Sequence, residues 1–161
     1  MKSDPGLAET ARCPCLSGET YGNCCGRFHS AVSNSAVFQN TVFQNGEPQN
    51  GDAYPPTAER LMRSRFSAFA VGDARYLLAT WHPSTKPATL DLDAATRWTR
   101  LDILATSRGG MLDTEGTVEF RAHYRPAVGS QAGGAGSQHE VSRFVRERGR
   151  WYYLDGVVAD R

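Results

Sequence analysis

The run TVEFRAHY, residues 117–124, decides the fold class. Val118, Phe120, Ala122 and Tyr124 fall on one side of an extended chain, and Glu119, Arg121 and His123 on the other. That is the period-two signature of a strand with one buried face. Before it, LDILATS (101–107) reads as a strand ended by Gly109-Gly110. After it, the Gly/Ser run VGSQAGGAGSQ (128–138) is a loop, and HEVSRFVRE (139–147) and WYYLDGVV (151–158) are strands joined at Arg148-Gly149-Arg150. The spacing predicts an antiparallel meander of about four strands.

Upstream the period is helical. Thr57 can cap a helix that follows Pro55-Pro56, and Glu59 sits in its first turn, where it favours the dipole. Leu61, Met62, Phe66, Phe69 and Ala70 share a face, and Gly72 supplies the stop. Asp73 restarts a second helix with Tyr76, Leu77, Thr80 and Trp81 on one side, closed by His82-Pro83. A third, short helix is expected from Asp93 to Arg100, burying Ala95 and Trp98. Helices followed by a meander make an α+β layout.

Composition bounds the function. The 161 residues carry 18 basic and 17 acidic side chains, a net charge of +1, which argues against a general nucleic-acid binder. With 40% hydrophobic and 10% aromatic residues, wholesale disorder is excluded. Nothing approaches a membrane span, and MKSDPGLAETARC has no apolar core of a secretory signal. Arg12 before Cys13 speaks against a lipidation site. A cytoplasmic protein without membrane contact is expected. Lys2 and Lys86 are the only lysines among the 18 cationic residues, a bias read as codon usage rather than phosphate binding.

All four cysteines lie between 13 and 25, as Cys13-Pro-Cys15, eight residues, then Cys24-Cys25. Bridging within either pair would strain the disulfide. Cross-pairing is sterically open, but a reducing compartment disfavours it. Four thiolates around a tetrahedral ion fit better, and Gly18, Gly22 and Gly26 permit the sharp turns. Arg12 and Arg27 flank the cluster and would offset its negative charge. Zinc is the preferred ion, and iron is compatible with thiolates. Such a closed site leaves no position for water and points to structure rather than Lewis-acid catalysis.

CPCLSGETYGNCCG resembles the SEC-C metal-binding motif, with Cys13, Cys15, Cys24 and Cys25 at the ligand positions and Ser17, Gly18 and Tyr21 between them. Leu16 stands where Gly is common, a departure expected to need only an ordinary φ. RFHS (27–30), AERLMRSRFSAF (58–69), YLLATWHPST (76–85), VEFRAHY, HEVSRF and RWYYLDG extend the resemblance to the YchJ family of small bacterial proteins. The resemblance implies an N-terminal knuckle (12–29) and a domain (57–161) like nuclear transport factor 2, a cone of curved antiparallel sheet and helices. Between them, 31–56 holds the tandem AVFQN (36–40) and TVFQN (41–45), with a decayed copy, GEPQN (46–50), and reads as a flexible insertion.

Other candidates are weaker. His139-Glu140 has Arg143 where a metalloprotease helix needs its second His, and the segment reads as strand. His29 is expected to make a structural polar contact rather than to replace a thiolate. Arg63 and Arg65 lie on the less apolar helix side; lining an anionic pocket is one reading, and a solvated face or a sheet-edge ion pair is the commoner outcome. Trp81, His82, Trp98 and Tyr124 are candidates for the cone wall. Glu119 and His123 should face away from it, and Glu140 shares a face with Ser142 and Phe144. No convergent catalytic pair emerges. The leading expectation is a zinc knuckle that meets a protein partner, with the translation or export machinery suggested by the SEC-C motif, which is named for the C-terminus of the SecA translocase motor. The alternative is a small-molecule carrier, isomerase or dehydratase acting in the cone cavity.

Overall fold

A computed structural model describes residues 6–33, 54–130 and 133–159, and the backbone of 43–44 and 47–48. Most of the tandem at 36–45 therefore lies outside the described residues, and with it the reading of the insertion. Helix α1 spans Cys25–Ser33, α2 Ala58–Val71 and α3 Ala74–Ala79. Strands β1 (Phe43–Gln44) and β2 (Glu47–Pro48) form a two-residue ladder. Strands β3 (Thr96–Arg108), β4 (Glu115–Pro126), β5 (Gly136–Glu147) and β6 (Arg150–Val158) form an antiparallel sheet in sequence order.

The expected start and stop signals of α2 are used. Thr57 Oγ1 accepts from the Arg60 amide at 3.1 Å, and Gly72 closes the helix at φ 79° in the left-handed region. Asp73 caps α3 through the Tyr76 amide, and the helix ends at Ala79, a turn before His82. The register places Val118, Phe120 and Ala122 of β4 on the buried face, as the alternation predicts. They meet Leu61, Met62 and Phe66 of α2, Leu101, Phe144 and Trp151.

Two expectations fail. Asp93–Arg100 is not a helix: Asp93 caps a turn through the Ala95 amide and Thr96 Oγ1, and β3 begins at Thr96. An Asp cap announces a turn as readily as a helix, and the residues after it are β-formers, Thr96, Trp98 and Thr99. Helix α2 is also not buried on one face only. Ser64, Arg65, Ser67 and Ala68 are buried along with its apolar stripe. The reason is a second cluster, in which Phe28 and Val32 of α1 pack with Ala68 of α2 and with Tyr76 and Leu77 of α3.

Because Leu61 is fully buried where helix meets sheet, Leu61→Ala should cost about 2–5 kcal/mol. Urea unfolding checks this: the midpoint should fall with an unchanged slope.

Candidate metal centre

The knuckle is built by short backbone bonds. The Cys13 amide donates to the Glu19 carbonyl and the Tyr21 amide to the Ala11 carbonyl, which folds residues 11–21 into a hairpin. The Leu16 amide donates back to Cys13, turning the chain between the first two cysteines. Cys25 is the first residue of α1, so the second pair stands at a helix N-terminus, where the dipole favours thiolate. Gly26 is required by a close approach: a Cβ there would lie 2.6 Å from the Tyr21 carbonyl oxygen.

All four cysteines are buried, and their Sγ atoms lie within 4.8 Å of one another. A tetrahedral thiolate site with bonds of about 2.3 Å requires sulfur–sulfur separations of about 3.8 Å. Cys15 and Cys24 are 3.6 Å apart and Cys24 and Cys25 are 3.9 Å apart, so the donor set fits. Hydrogen bonds from Cys15 and then Cys25 hold the Cys13 thiol down to about 3. Bonding to Cys13 and Cys15, with burial, pushes Cys25 up.

The charge compensation expected of Arg12 and Arg27 is supplied by Arg60. Arg60, on α2, directs both Nη1 and Nη2 to Cys24 Sγ at 3.7 Å. Burial opposes its charge, but Cys24, Cys25 and Cys15 outweigh that and raise its pKa. Ser17 Oγ also lies 3.2 Å from Cys24 Sγ. Arg27 instead stacks over the Phe28 ring at 4.7 Å. Only the helical spacing from Thr57 could have pointed to Arg60, and only with the knuckle's docking already known.

That docking is extensive. Cys13 Sγ lies 3.7 Å from Ser67 Oγ, and Arg63 donates to the Cys15 carbonyl at 3.4 Å. His29 makes the structural contact expected of it. Its Nε2 donates to the Ser64 carbonyl at 2.8 Å, which leaves Nδ1 to accept from the Tyr21 hydroxyl at 2.7 Å. Ser64 Oγ donates to the Leu61 carbonyl and accepts from Tyr76. Leu16 departs from expectation: its φ is 60°, in the left-handed region, so the common Gly is replaced at a position that favours one.

A cavity of about 290 Å³, open to solvent on one side, lies between α2 and the sheet. Trp81, Trp98 and Glu140 line it, whereas His82 binds Glu147 and Ser84 on the surface and Tyr124 lines a different groove. Glu119 and His123 pair with His139 and Asp102. Arg65 is not on a solvated face; it is 3% exposed and lines the cavity.

Residues 57–156 match the family described as "YchJ, middle NTF2-like domain", and 10–27 match the SEC-C motif. The chain belongs to the YchJ family. UPF0225 proteins of Streptomyces coelicolor (48% identity, 94% of this chain and 98% of that one) and Corynebacterium glutamicum (45%, 91% and 97%) are similar to this YchJ-family chain. A SEC-C motif containing protein from Rhodopseudomonas palustris superposes with TM-score 0.65 at 30% identity, covering 92% of this chain and 98% of that one. Another from Psychrobacter arcticus, with TM-score 0.66 and 24% identity over 96% and 87%, shares the fold. No helix among the described residues is long and apolar enough to cross a membrane.

Burial pushes the His29 imidazole down from its ordinary value, against the Ser64 carbonyl and the Asp73 charge. The unfolded chain takes up this proton near pH 6.5 and the folded chain only below that. Stability should therefore fall as pH drops below about 6.5, by at most about 1.4 kcal/mol per unit from this group. Gln keeps one donor and one acceptor, so His29→Gln should flatten that slope in urea titrations at pH 7 and below.

Proposed function

We propose that this protein is a cytoplasmic, zinc-stabilised protein-interaction module. The carrying observation is the convergence of four buried sulfurs at tetrahedral spacing. Cys13, Cys15, Cys24 and Cys25 are the ligands of a closed structural site in which zinc ties the first arm of the hairpin to the start of α1. A reducing cytoplasm keeps the thiols available.

The partner surface is supported by Leu16. It is held at a left-handed φ that costs a non-glycine residue about 1–2 kcal/mol, and the residue is 48% exposed. A strained, outward apolar residue on a rigid staple points to contact rather than to folding. Leu16 shares a groove of about 580 Å³ with Arg97, Arg100 and Arg125. An acidic protein segment bearing an apolar residue fits that lining, and components of the translation or export machinery are the partners to test.

Elemental analysis of freshly purified reduced protein should return about one zinc per chain; a value well below one overturns the metal assignment, and iron in its place corrects the ion. Arg60→Met should ease metal loss to a chelator by about 10–100-fold. Capture from native lysate should lose its partners in the Cys24→Ser/Cys25→Ser double variant. Leu16→Gly relieves backbone strain, so it should keep metal and stability yet also lose the partners. Identical recovery by Leu16→Gly and wild type overturns the docking surface.

A further inference from the structure

The cone cavity holds two fixed opposite charges in an aromatic wall. Phe66, Phe69, Trp98 and Phe120 supply the apolar lining, and Arg65, Glu140 and Tyr153 supply the polar groups. Arg65 is anchored by the protein rather than by a carboxylate. Its Nη1 donates to the Leu77 carbonyl at 2.8 Å and Thr80 Oγ1 at 2.7 Å, and its guanidinium lies 4.4 Å from the Tyr153 ring and 5.2 Å from Trp81. Among the described residues no carboxylate lies within ion-pair distance of it. Burial pulls its pKa down to about 10, so it remains a cation at neutral pH.

Glu140 is held with equal care. Its Oε1 accepts from Ser142 Oγ at 2.9 Å and from the Tyr153 hydroxyl at 3.4 Å, and its Oε2 accepts from Gln138 at 2.9 Å. Gly156 makes the room: a Cβ there would overlap Glu140 Oε1 and press on the Tyr153 hydroxyl. Tyr153 thus touches both charged residues, its ring facing Arg65 and its hydroxyl meeting Glu140; the Glu140 charge acts on Arg65 across the cavity, but the two make no direct ion pair. The wall also carries Trp81, whose indole N–H is buried without a partner among the described residues.

We propose that this cavity binds a small zwitterion with an apolar body, the chemistry of a hydrophobic α-amino acid, with its carboxylate toward Arg65 and its ammonium toward Glu140. A lone anion would meet Glu140, a lone cation would meet Arg65, and an uncharged apolar molecule would leave both charges unmatched in a low-dielectric space. A zwitterion answers both charges while its side chain fills the aromatic wall. At about 290 Å³ the cavity lies at the lower edge of the roughly 300–1,000 Å³ typical of ligand sites, so the occupant is small.

The test uses the full chain and four probes: L-phenylalanine, L-leucine, phenethylamine and 3-phenylpropionate. Calorimetry should show both amino acids binding at least about ten-fold more tightly than either singly charged analogue. The indole N–H signals of Trp81 and Trp98 should shift along the phenylalanine titration. Glu140→Gln should weaken phenylalanine at least about ten-fold while sparing 3-phenylpropionate. The analogue series on the unaltered chain decides the matter if that variant fails to fold. Equal binding of phenylalanine and either analogue, unchanged phenylalanine binding by Glu140→Gln, or no indole shift with any probe overturns the proposal.

Discussion

The structure depends on the two-sided burial of α2. Its Leu61, Met62 and Phe66 close the sheet core, while Ala68, two turns beyond Leu61, joins Phe28, Val32, Tyr76 and Leu77 in a second cluster. Ser64 is the polar hinge of that second contact. Its carbonyl accepts a hydrogen bond from His29 Nε2, and its hydroxyl satisfies Tyr76. A buried amphipathic helix ordinarily presents one stripe inward and one to water. Here the second side is covered by the knuckle's own helix, so the small and polar residues of α2 are interior groups and each must find a partner. Ser67, at 3.7 Å from Cys13 Sγ, and Arg60, at 3.7 Å from Cys24 Sγ, find theirs in the cysteine cluster.

This arrangement explains what could be read from the residues and what could not. The strands of the meander are visible because their alternation has a single cause, one face on α2 and one in water. Thr57, Gly72 and Asp73 are visible because capping is local chemistry. The cysteine cluster is visible because thiols so close in sequence have few other uses. Arg65 was misplaced because a charged residue on a helix is ordinarily solvated. Its burial follows from the Leu77 carbonyl and Thr80 hydroxyl at the end of α3 and from the rings of Trp81 and, on β6, Tyr153, none of which lies on its own helix. Arg60 was hidden for the same reason. Asp93 misled because a cap specifies only the next few amides, which a turn satisfies as well as a helix does.

Arginine does much of the long-range work in this chain, in three distinct ways. Arg60 brings charge to sulfur, Arg65 stacks between rings with one nitrogen committed, and Arg143 pairs both its Nε and Nη2 with Asp155 across β5 and β6. The planar fork serves each of these better than an ammonium would. The scarcity of lysine, which composition alone attributes to codon usage, is therefore compatible with several positions where lysine could not substitute.

The two candidate sites occupy opposite stripes of α2. At about 100° per residue, positions 60, 63, 64 and 67 project together, and positions 62, 65, 66 and 69 project from the other side. The first stripe holds Arg60, Arg63, Ser64 and Ser67, all of which meet the knuckle or its helix. The second holds Met62, Arg65, Phe66 and Phe69, all of which line the cavity. This is why polar and charged residues are buried beside the apolar stripe of α2: two sets of contacts with different chemistry are interleaved at helical spacing. The two sides are also joined by side chains: Phe69 lines the cavity and packs against the cluster of Phe28, Val32, Tyr76 and Leu77, and Arg65 bonds to the end of α3, whose Tyr76 meets Ser64 on the other stripe.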